Sequence, residues 1–178
     1  MKKENILILH NIRSVENVGA MFRTADAAGV NKIYLTGYTP APIDRFGRKR
    51  KDLAKSALGA EEFVKWEQKK NVFSLIAELR REKPRTRASS VRGRFFIIGI
   101  EQDKKSVDYK TLRLPSAKLG TSRSGQGNVF IMGSEIGGIP KNILEKCDII
   151  TEIPMRGKKE SLNVSVALGI ALFRICNI

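Results

Sequence analysis

The composition of the chain is that of one soluble domain with a large excess of positive charge. Its 178 residues suffice to bury a core without disulfide or metal staples. Lysine and arginine number 33 against 18 acidic residues, so the formal net charge is +15. This excess indicates a polyanionic partner, most often nucleic acid, with a generally basic soluble surface as the alternative. Cys147 and Cys176 lie far apart, which argues against a disulfide framework or zinc site and suits a reducing compartment.

We expect no export signal at the start of this sequence. Four apolar residues, 6–9, follow a short charged segment, and this run is too short for a signal peptide. No apolar run in the sequence is long enough to span a membrane. We therefore expect a cytoplasmic protein that has no membrane partner.

Short apolar runs rich in β-branched residues alternate with segments of helical periodicity. In chain order, the pattern predicts a strand over Ile6–His10, a helix over Glu16–Gly29, a strand over Lys32–Thr36, a helix over Val72–Glu82, strands over Phe95–Ile100 and Val129–Met132, a helix over Lys141–Lys146, a strand over Ile149–Ile153 and a helix over Ser161–Ile175. Residues 34–60 show no further clear strand. The alternation predicts an α/β fold, a mostly parallel sheet with helices on both faces, in a single domain over 1–178.

Two segments place polar groups directly after a predicted strand, where open α/β sheets bind their ligands. Residues 11–25 pass through a polar turn into a helix that has Ser14 as its predicted N-cap and carries Arg23. Residues 128–140 follow a buried strand with Gly133, Glu135 and the flexible turn 137–138. As alternatives, Arg23 is a surface arginine, and Glu135 caps its own turn or the helix after Pro140.

A third segment, residues 153–167, has the same arrangement. The strand ends in a Pro/Gly turn, and Ser161 and Asn163 then open a helix that is apolar almost all round. Helices of that composition are usually buried. The surplus of polar groups at its start indicates a ligand, although Ser161 alone would also serve as an N-cap.

Several common catalytic arrangements do not occur in the sequence. His10 is the only histidine and has no cysteine or carboxylate neighbour, so Ser/His/Asp catalysis and metal chemistry are not expected. Neither a P-loop nor a G-x-G-x-x-G turn occurs. Methyl transfer needs none of these, because it requires a pocket for an activated donor and a positioned acceptor.

Three further segments carry the basic character of the chain. They are Arg45–Lys51, residues 80–94 and the glycine-rich residues 118–127. Blocks of like charge repel one another unless a polyanion is present, which favours phosphate contact over solvated loops. Phe46 is the only aromatic residue in these segments, so the sequence gives little support to a stacking platform for single strands.

The blocks N-V-G-A-x-x-R-T-A, G-S-E-x-x-G-I and S-L-N-V-S-V-A stand in this order along the chain. Together they resemble the SPOUT superfamily of methyltransferases, and more closely its TrmH/SpoU branch of RNA ribose 2′-O-methyltransferases. The resemblance extends over residues 5–174. It implies a C-terminal trefoil knot whose loops bind S-adenosyl-L-methionine, and a homodimer whose active site draws on both subunits.

The resemblance also assigns the residues of the site. It makes Arg23 catalytic, with Asn17, Glu135, Ser161 and Asn163 as further active-site residues. The donor would contact Gly133, Ile153, Met155 and Leu162, with Ile100 and Glu101 at its adenosine side. No metal is implied.

The role of Arg23 follows from its chemistry. Guanidinium groups hardly deprotonate in proteins, so we expect Arg23 to stabilise the 2′-oxyanion and clamp a phosphate instead of acting as a simple base. A base role enabled by an RNA phosphate stays open.

The first block begins within the first twenty residues, so we expect the catalytic domain itself to hold RNA, and a compact arrangement of this kind favours tRNA over rRNA. The expected RNA-binding residues are Arg13, Arg45, Arg48, Lys49, Arg50, Arg85 and Arg87. A non-catalytic RNA-binding protein on the same fold and a base-directed methyltransferase are the alternatives.

Overall fold

The computed structural model describes residues 4–81, 95–114 and 127–178. Its strands are β1 Asn5–His10, β2 Lys32–Thr36, β3 Lys65–Lys69, β4 Phe96–Ile100, β5 Val107–Asp108, β6 Asn128–Met132 and β7 Ile149–Glu152. Its helices are α1 Val15–Ala27, α2 Lys51–Ala57, α3 Ala60–Phe63, α4 Val72–Arg81, α5 Lys141–Leu144 and α6 Val164–Cys176. Every predicted strand and helix is present, with ends that differ by a few residues.

All strands belong to one sheet, in the order β3-β2-β1-β6-β4-β7-β5, and each pair of neighbours is parallel. Side chains alternate along each strand, so two separate cores form on the two faces. Leu7 packs in one core with Phe22 of α1, and Ile8 packs in the other with Leu75 of α4. The predicted α/β architecture is therefore confirmed, whereas the C-terminal knot stays a prediction.

Two strands and two helices were not predicted: β3, β5, α2 and α3. Strand β3 lies at the edge of the sheet, and Trp66 is its single apolar residue, so it has no apolar run to detect. Lys32 and Lys69 flank its Glu67 at 2.7 and 2.9 Å, which suits a solvated edge strand. Strand β5 has only two residues. Hydrophobic pattern cannot identify elements this polar or this short.

The final helix is buried on one side only in the single chain. Helix α6 begins at Val164, with Asn163 as N-cap, so Ser161 lies before the helix and does not cap it. One face of α6 is in the core, but Val166, Ile170 and Phe173 are exposed on another. With 13 residues α6 is far from spanning a bilayer, and none of the helices within the described ranges is long and apolar enough to do so.

Helix α1 is held in place by its cap and by a close packing contact with α2. The side chain of Ser14 accepts a hydrogen bond of 3.0 Å from the Asn17 amide, which confirms the predicted N-cap. Gly19, the glycine of the first block, faces the backbone of Leu53 and Ala57 in α2, where an added Cβ would overlap with α2. Glycine is therefore needed at this position for the two helices to approach.

Candidate active site

Glu135 binds the turn that precedes helix α1. Its carboxylate accepts hydrogen bonds from the backbone amides of Arg13 at 3.0 Å and Ser14 at 3.1 Å, and from Nδ2 of Asn17 at 2.9 Å. The sequence also allowed Glu135 to cap its own turn or helix α5. In the structure Glu135 instead joins the second block to the first.

Asn17 connects this carboxylate to the third block. Its Oδ1 accepts a hydrogen bond of 3.0 Å from Nδ2 of Asn163. Oδ1 of Asn163, the N-cap of α6, in turn accepts hydrogen bonds from the backbone amide and the hydroxyl of Ser165. A single chain of hydrogen bonds thus runs from Glu135 through Asn17 and Asn163 to the start of α6.

The environment of Glu135 favours its charged form. Desolvation, the largest single influence, raises its pKa, but hydrogen bonds from Arg13, Asn17 and Ser14 together outweigh it and hold the pKa below the usual range for glutamate. The carboxylate therefore stays ionised at neutral pH and can accept all of its hydrogen bonds.

A cavity of about 540 Å³ opens beside this network, at the carboxyl ends of β4, β6 and β7. All six residues expected at the donor line it: Ile100, Glu101, Gly133, Ile153, Met155 and Leu162. The expected active-site residues Glu135, Ser161 and Asn163 line it as well. Parallel strands collect their carboxyl ends at one edge of the sheet, which is why segments distant in sequence meet here.

One wall of the cavity is a tight loop, residues 134–138, held against the end of β4. Ser134 and Gly138 exchange backbone hydrogen bonds of 3.1 and 3.0 Å, with Gly138 at φ +61°. Glu101 Oε2 accepts a hydrogen bond of 2.7 Å from the Ile139 amide. Gly133 lies under the backbone of Gly138 with no room for a Cβ. Both glycines are therefore required by the shape of this wall.

Several lining residues were not predicted from the sequence. They include Gln102, Ser134, Glu152 and Glu160. Glu152 directly precedes the Ile-Pro-Met turn and Glu160 directly precedes Ser161, so adjacency to the motifs was the available signal. Four carboxylates line the cavity (Glu101, Glu135, Glu152 and Glu160), and no lysine or arginine of the described residues does. The lining therefore suits a cationic ligand.

Arg23 lies outside the cavity of its own chain. It is six residues beyond Asn17 on α1, which corresponds to about 9 Å along the helix axis. Its side chain is exposed and makes no hydrogen bond or ion pair within the described ranges. With respect to the described residues, the guanidinium donors of Arg23 are therefore unpaired.

The expected RNA-binding residues occupy different environments. Arg13 and Arg45 are exposed, whereas Arg48, Lys49 and Arg50 form ion pairs with Asp44, Glu62 and Asp52 at 3.1, 2.6 and 2.7 Å. Arg85 and Arg87 lie outside the described residues, as do most of segments 80–94 and 118–127.

A comparison with families of known sequence identifies the relatives of this chain. The sequence model described as the SpoU rRNA Methylase family matches residues 4–173. The chain belongs to this family. The resemblance noted from the three blocks is thereby confirmed over nearly the whole chain.

Individual relatives agree with the SpoU assignment. A protein of Ralstonia nicotianae named 23S rRNA (guanosine-2′-O-)-methyltransferase RlmB is 34% identical over 94% of this chain and 56% of its own. The AdoMet-bound rRNA methyltransferase of Sinorhizobium meliloti is 26% identical with a TM-score of 0.75, over 97% of this chain and 56% of its own. The A. aeolicus TrmH/SpoU tRNA modifying enzyme is 25% identical with a TM-score of 0.73, over 99% and 75%. The chain spans little more than half the length of the curated SpoU relatives it matches.

Proposed function

We propose that this protein transfers a methyl group from S-adenosyl-L-methionine to a ribose 2′-hydroxyl of RNA. The observation that carries the proposal is one cavity lined by the second and third sequence blocks, with Asn17 of the first block hydrogen-bonded to both Glu135 and Asn163 at its side. The net charge of +15 supports a polyanionic substrate.

The cavity fits the proposed donor in size and in charge. A volume of about 540 Å³ lies within the range of small-molecule sites, which is about 300–1,000 Å³. Apolar side chains of Ile100, Ile153, Met155 and Leu162 suit an adenosine, and the four carboxylates suit a sulfonium and an ammonium group. When bound, S-adenosyl-L-methionine supplies an activated methyl group to an oxygen nucleophile.

In this mechanism the residues of the chain position the acceptor and stabilise its charge. Asn17, Asn163 and Glu135 hold the loops around the reacting atoms, and Ser161 faces the cavity near them. Arg23 binds the 2′-oxygen as its O–H proton leaves to solvent, and it also holds the neighbouring phosphate through its remaining N–H donors. No residue of the chain is methylated or oxidised in this scheme.

The same scheme requires a homodimer. Val166, Ile170 and Phe173 are spaced at i, i+4 and i+7, so they form one exposed apolar stripe along α6. Docking this stripe against a second copy would cover it. An active site that draws on both subunits also accounts for Arg23, whose free guanidinium lies outside the cavity of its own chain.

For the substrate, the relatives favour ribosomal RNA. Eight curated relatives, 29–34% identical, are each named for methylation of 23S rRNA guanosine. The tRNA preference expected from the early position of the first block gains no support from them. We therefore propose rRNA as the substrate class, with tRNA as the outcome that would overturn this choice.

Two measurements test the proposal. Calorimetry with S-adenosylhomocysteine should detect binding, and no heat at millimolar ligand would refute the donor site. Ribose-methylation mapping of total RNA from cells with and without the protein should then find one rRNA position that loses its methyl group. A methyl group on a base would establish a base-directed enzyme, and binding without any lost methylation would establish a non-catalytic protein.

A further inference from the structure

The segment between β2 and α2 carries an exposed aromatic ring. Phe46 has 65% of its surface exposed, at the tip of a turn that follows the carboxyl end of β2. Single apolar residues on a surface are common and need no function. The surroundings of this one set it apart from the other exposed phenylalanines of the described residues.

Two guanidinium groups lie against the Phe46 ring. The Cζ atoms of Arg45 and Arg48 are 4.7 and 5.0 Å from the ring centroid, within the range of cation–π contact. Arg45 is exposed and makes no hydrogen bond or ion pair within the described ranges. Arg48 binds Asp44 through Nε at 3.1 Å, which leaves its terminal nitrogens for another acceptor.

The turn that carries the ring is stabilised by hydrogen bonds within residues 43–49. Asp44 Oδ1 accepts hydrogen bonds from the amides of Phe46 at 2.8 Å and Arg48 at 2.9 Å, and the backbone of Asp44 pairs with Arg48. Gly47 at φ +79° permits the reversal, and Ile43 and Lys49 close it with a β-bridge. A turn that is ordered before binding loses little backbone conformational entropy when a ligand stacks on the ring that it carries.

The location of this turn suits an RNA strand that enters the cavity. The chain leaves β2 at the same edge of the sheet that carries the cavity. Thr39 Oγ1 accepts a hydrogen bond of 3.1 Å from the Ile12 amide, so the segment after β2 is tied to the turn that Glu135 binds. The segment that carries Phe46 therefore begins at the edge of the sheet that carries the cavity.

We propose that Phe46, Arg45 and Arg48 form a nucleotide-binding site outside the donor cavity, where one unpaired RNA base stacks on the ring and the guanidinium groups bind its flanking phosphate. Aromatic side chains bind any base through its π face, and guanidinium groups bind phosphate through paired N–H donors. The sequence alone gave little support to such a platform, because it shows one aromatic residue and not the two cations folded against it. The proposal rests on the proposed function in that it assumes an RNA substrate.

The test compares RNA binding by the full chain and by three variants. The probe is a fluorescent single-stranded RNA of mixed sequence, measured beside an oligonucleotide of equal length with abasic sites, which keeps the phosphates and lacks the bases. F46L removes the ring but keeps an apolar side chain, and F46W restores an aromatic face. F63L is the matched control, because Phe63 is 77% exposed and has no arginine near its ring in the described residues.

We expect F46L to weaken binding of the RNA by about tenfold, which is within the range for loss of one stacked base. F46W and F63L should bind as wild type does, and F46L should leave binding of the abasic oligonucleotide unchanged. Equal affinity of F46L and wild type for the RNA would overturn the proposal, as would an equal loss for both oligonucleotides.

Methyl transfer by the same variants separates this proposal from the proposed function. If wild type methylates RNA and F46L does so with an unchanged KM, the stacking site is wrong and the activity stands. If wild type binds the RNA through Phe46 but neither binds S-adenosylhomocysteine nor methylates RNA, the stacking site stands and the activity is wrong.

Discussion

Nδ2 of Asn17 donates a hydrogen bond of 2.9 Å to Oε1 of Glu135, which lies 118 residues further along the chain. This bond joins the helix of the first block to the loop of the second. Through Oδ1, the same asparagine binds Asn163 of the third block. One side chain therefore holds in register three segments that carry the site.

Loss of the Glu135 carboxylate should destabilise the fold modestly and change its response to acid. E135Q replaces one carboxylate oxygen with an NH2 group, which leaves the amide of either Arg13 or Ser14 without its acceptor, at an expected cost of about 1 kcal/mol because the site is partly solvated. The pKa of Glu135 in the native protein lies below its value of about 4.3 in the unfolded chain. The stabilisation by its charge is therefore complete above the unfolded value and disappears as the pH falls through the native pKa.

Urea unfolding at pH 7 and pH 4 measures both effects. We expect the difference in free energy of unfolding between wild type and E135Q to be smaller at pH 4 than at pH 7. E145Q is the control, because Glu145 is exposed at the end of α5 and lies outside the network. An equal difference in free energy of unfolding at the two pH values would contradict the stabilisation of the fold by the charge of Glu135.

Gly133 should tolerate no side chain. In G133A the new Cβ would overlap with the backbone of Gly138 and Ile139, which forms a wall of the donor cavity and cannot give way as a flexible side chain would. We expect binding of S-adenosylhomocysteine to fall by at least tenfold in calorimetry. G157A is the matched control, because nothing lies within 4 Å of a Cβ there. An equal affinity of both variants would contradict the assigned wall.

Arg23 should affect turnover but not donor binding. R23A removes the group that stabilises the developing oxyanion, and loss of one such interaction costs about 10²–10³-fold in kcat. Because Arg23 does not line the cavity, the affinity for S-adenosylhomocysteine should stay unchanged. K65A, which removes an exposed positive charge at the start of β3 and outside the three basic segments, serves as the control for lost charge. Full activity of R23A in a tritiated-methyl assay would refute its catalytic role.

The exposed stripe of α6 should control the oligomeric state. In V166E/I170E two carboxylates replace apolar side chains that are 49% and 37% exposed in one copy. Burying unpaired charges in an interface is costly, so we expect a monomer in sedimentation analysis where wild type is a dimer. L58E, at an apolar residue that is 65% exposed away from α6, should stay dimeric. A monomeric wild type would contradict the proposed dimer directly.

The acidic lining of the cavity should bind S-adenosyl-L-methionine more tightly than S-adenosylhomocysteine. Glu152 lines the cavity and its carboxylate has no hydrogen bond or ion pair within the described residues. S-adenosyl-L-methionine carries a sulfonium charge that S-adenosylhomocysteine lacks. E152Q should therefore lower the affinity ratio of donor to product by about fivefold, as expected for one charge about 4 Å away in a water-like medium. The same calorimetry on E145Q, which removes a charge outside the cavity, should show no change.

Much of the architecture followed from local pattern. Apolar runs of β-branched residues predicted β1, β2, β4, β6 and β7 because a parallel sheet buries both faces of each strand. Strand β3, by contrast, lies at the solvated edge of the sheet and is mostly polar. Its one apolar residue gave no periodic signal. The helix at residues 164–176 was detected by its apolar residues, but hydrophobicity alone did not tell which of them face solvent in the single chain.

For the site, the three blocks and their resemblance to SpoU enzymes named the residues, and length, charge and pattern predicted an α/β domain that binds a polyanion. Only the folded chain determined which of these residues touch. The bonds that join Asn17 to Glu135 and Asn163 cross more than a hundred positions, and so depend on the order of strands in the sheet. The same holds for the two arginines folded onto Phe46, since that contact depends on how Asp44 shapes a turn. The sequence determined which chemical groups are present, whereas the packing of the whole sheet determined which of them are in contact.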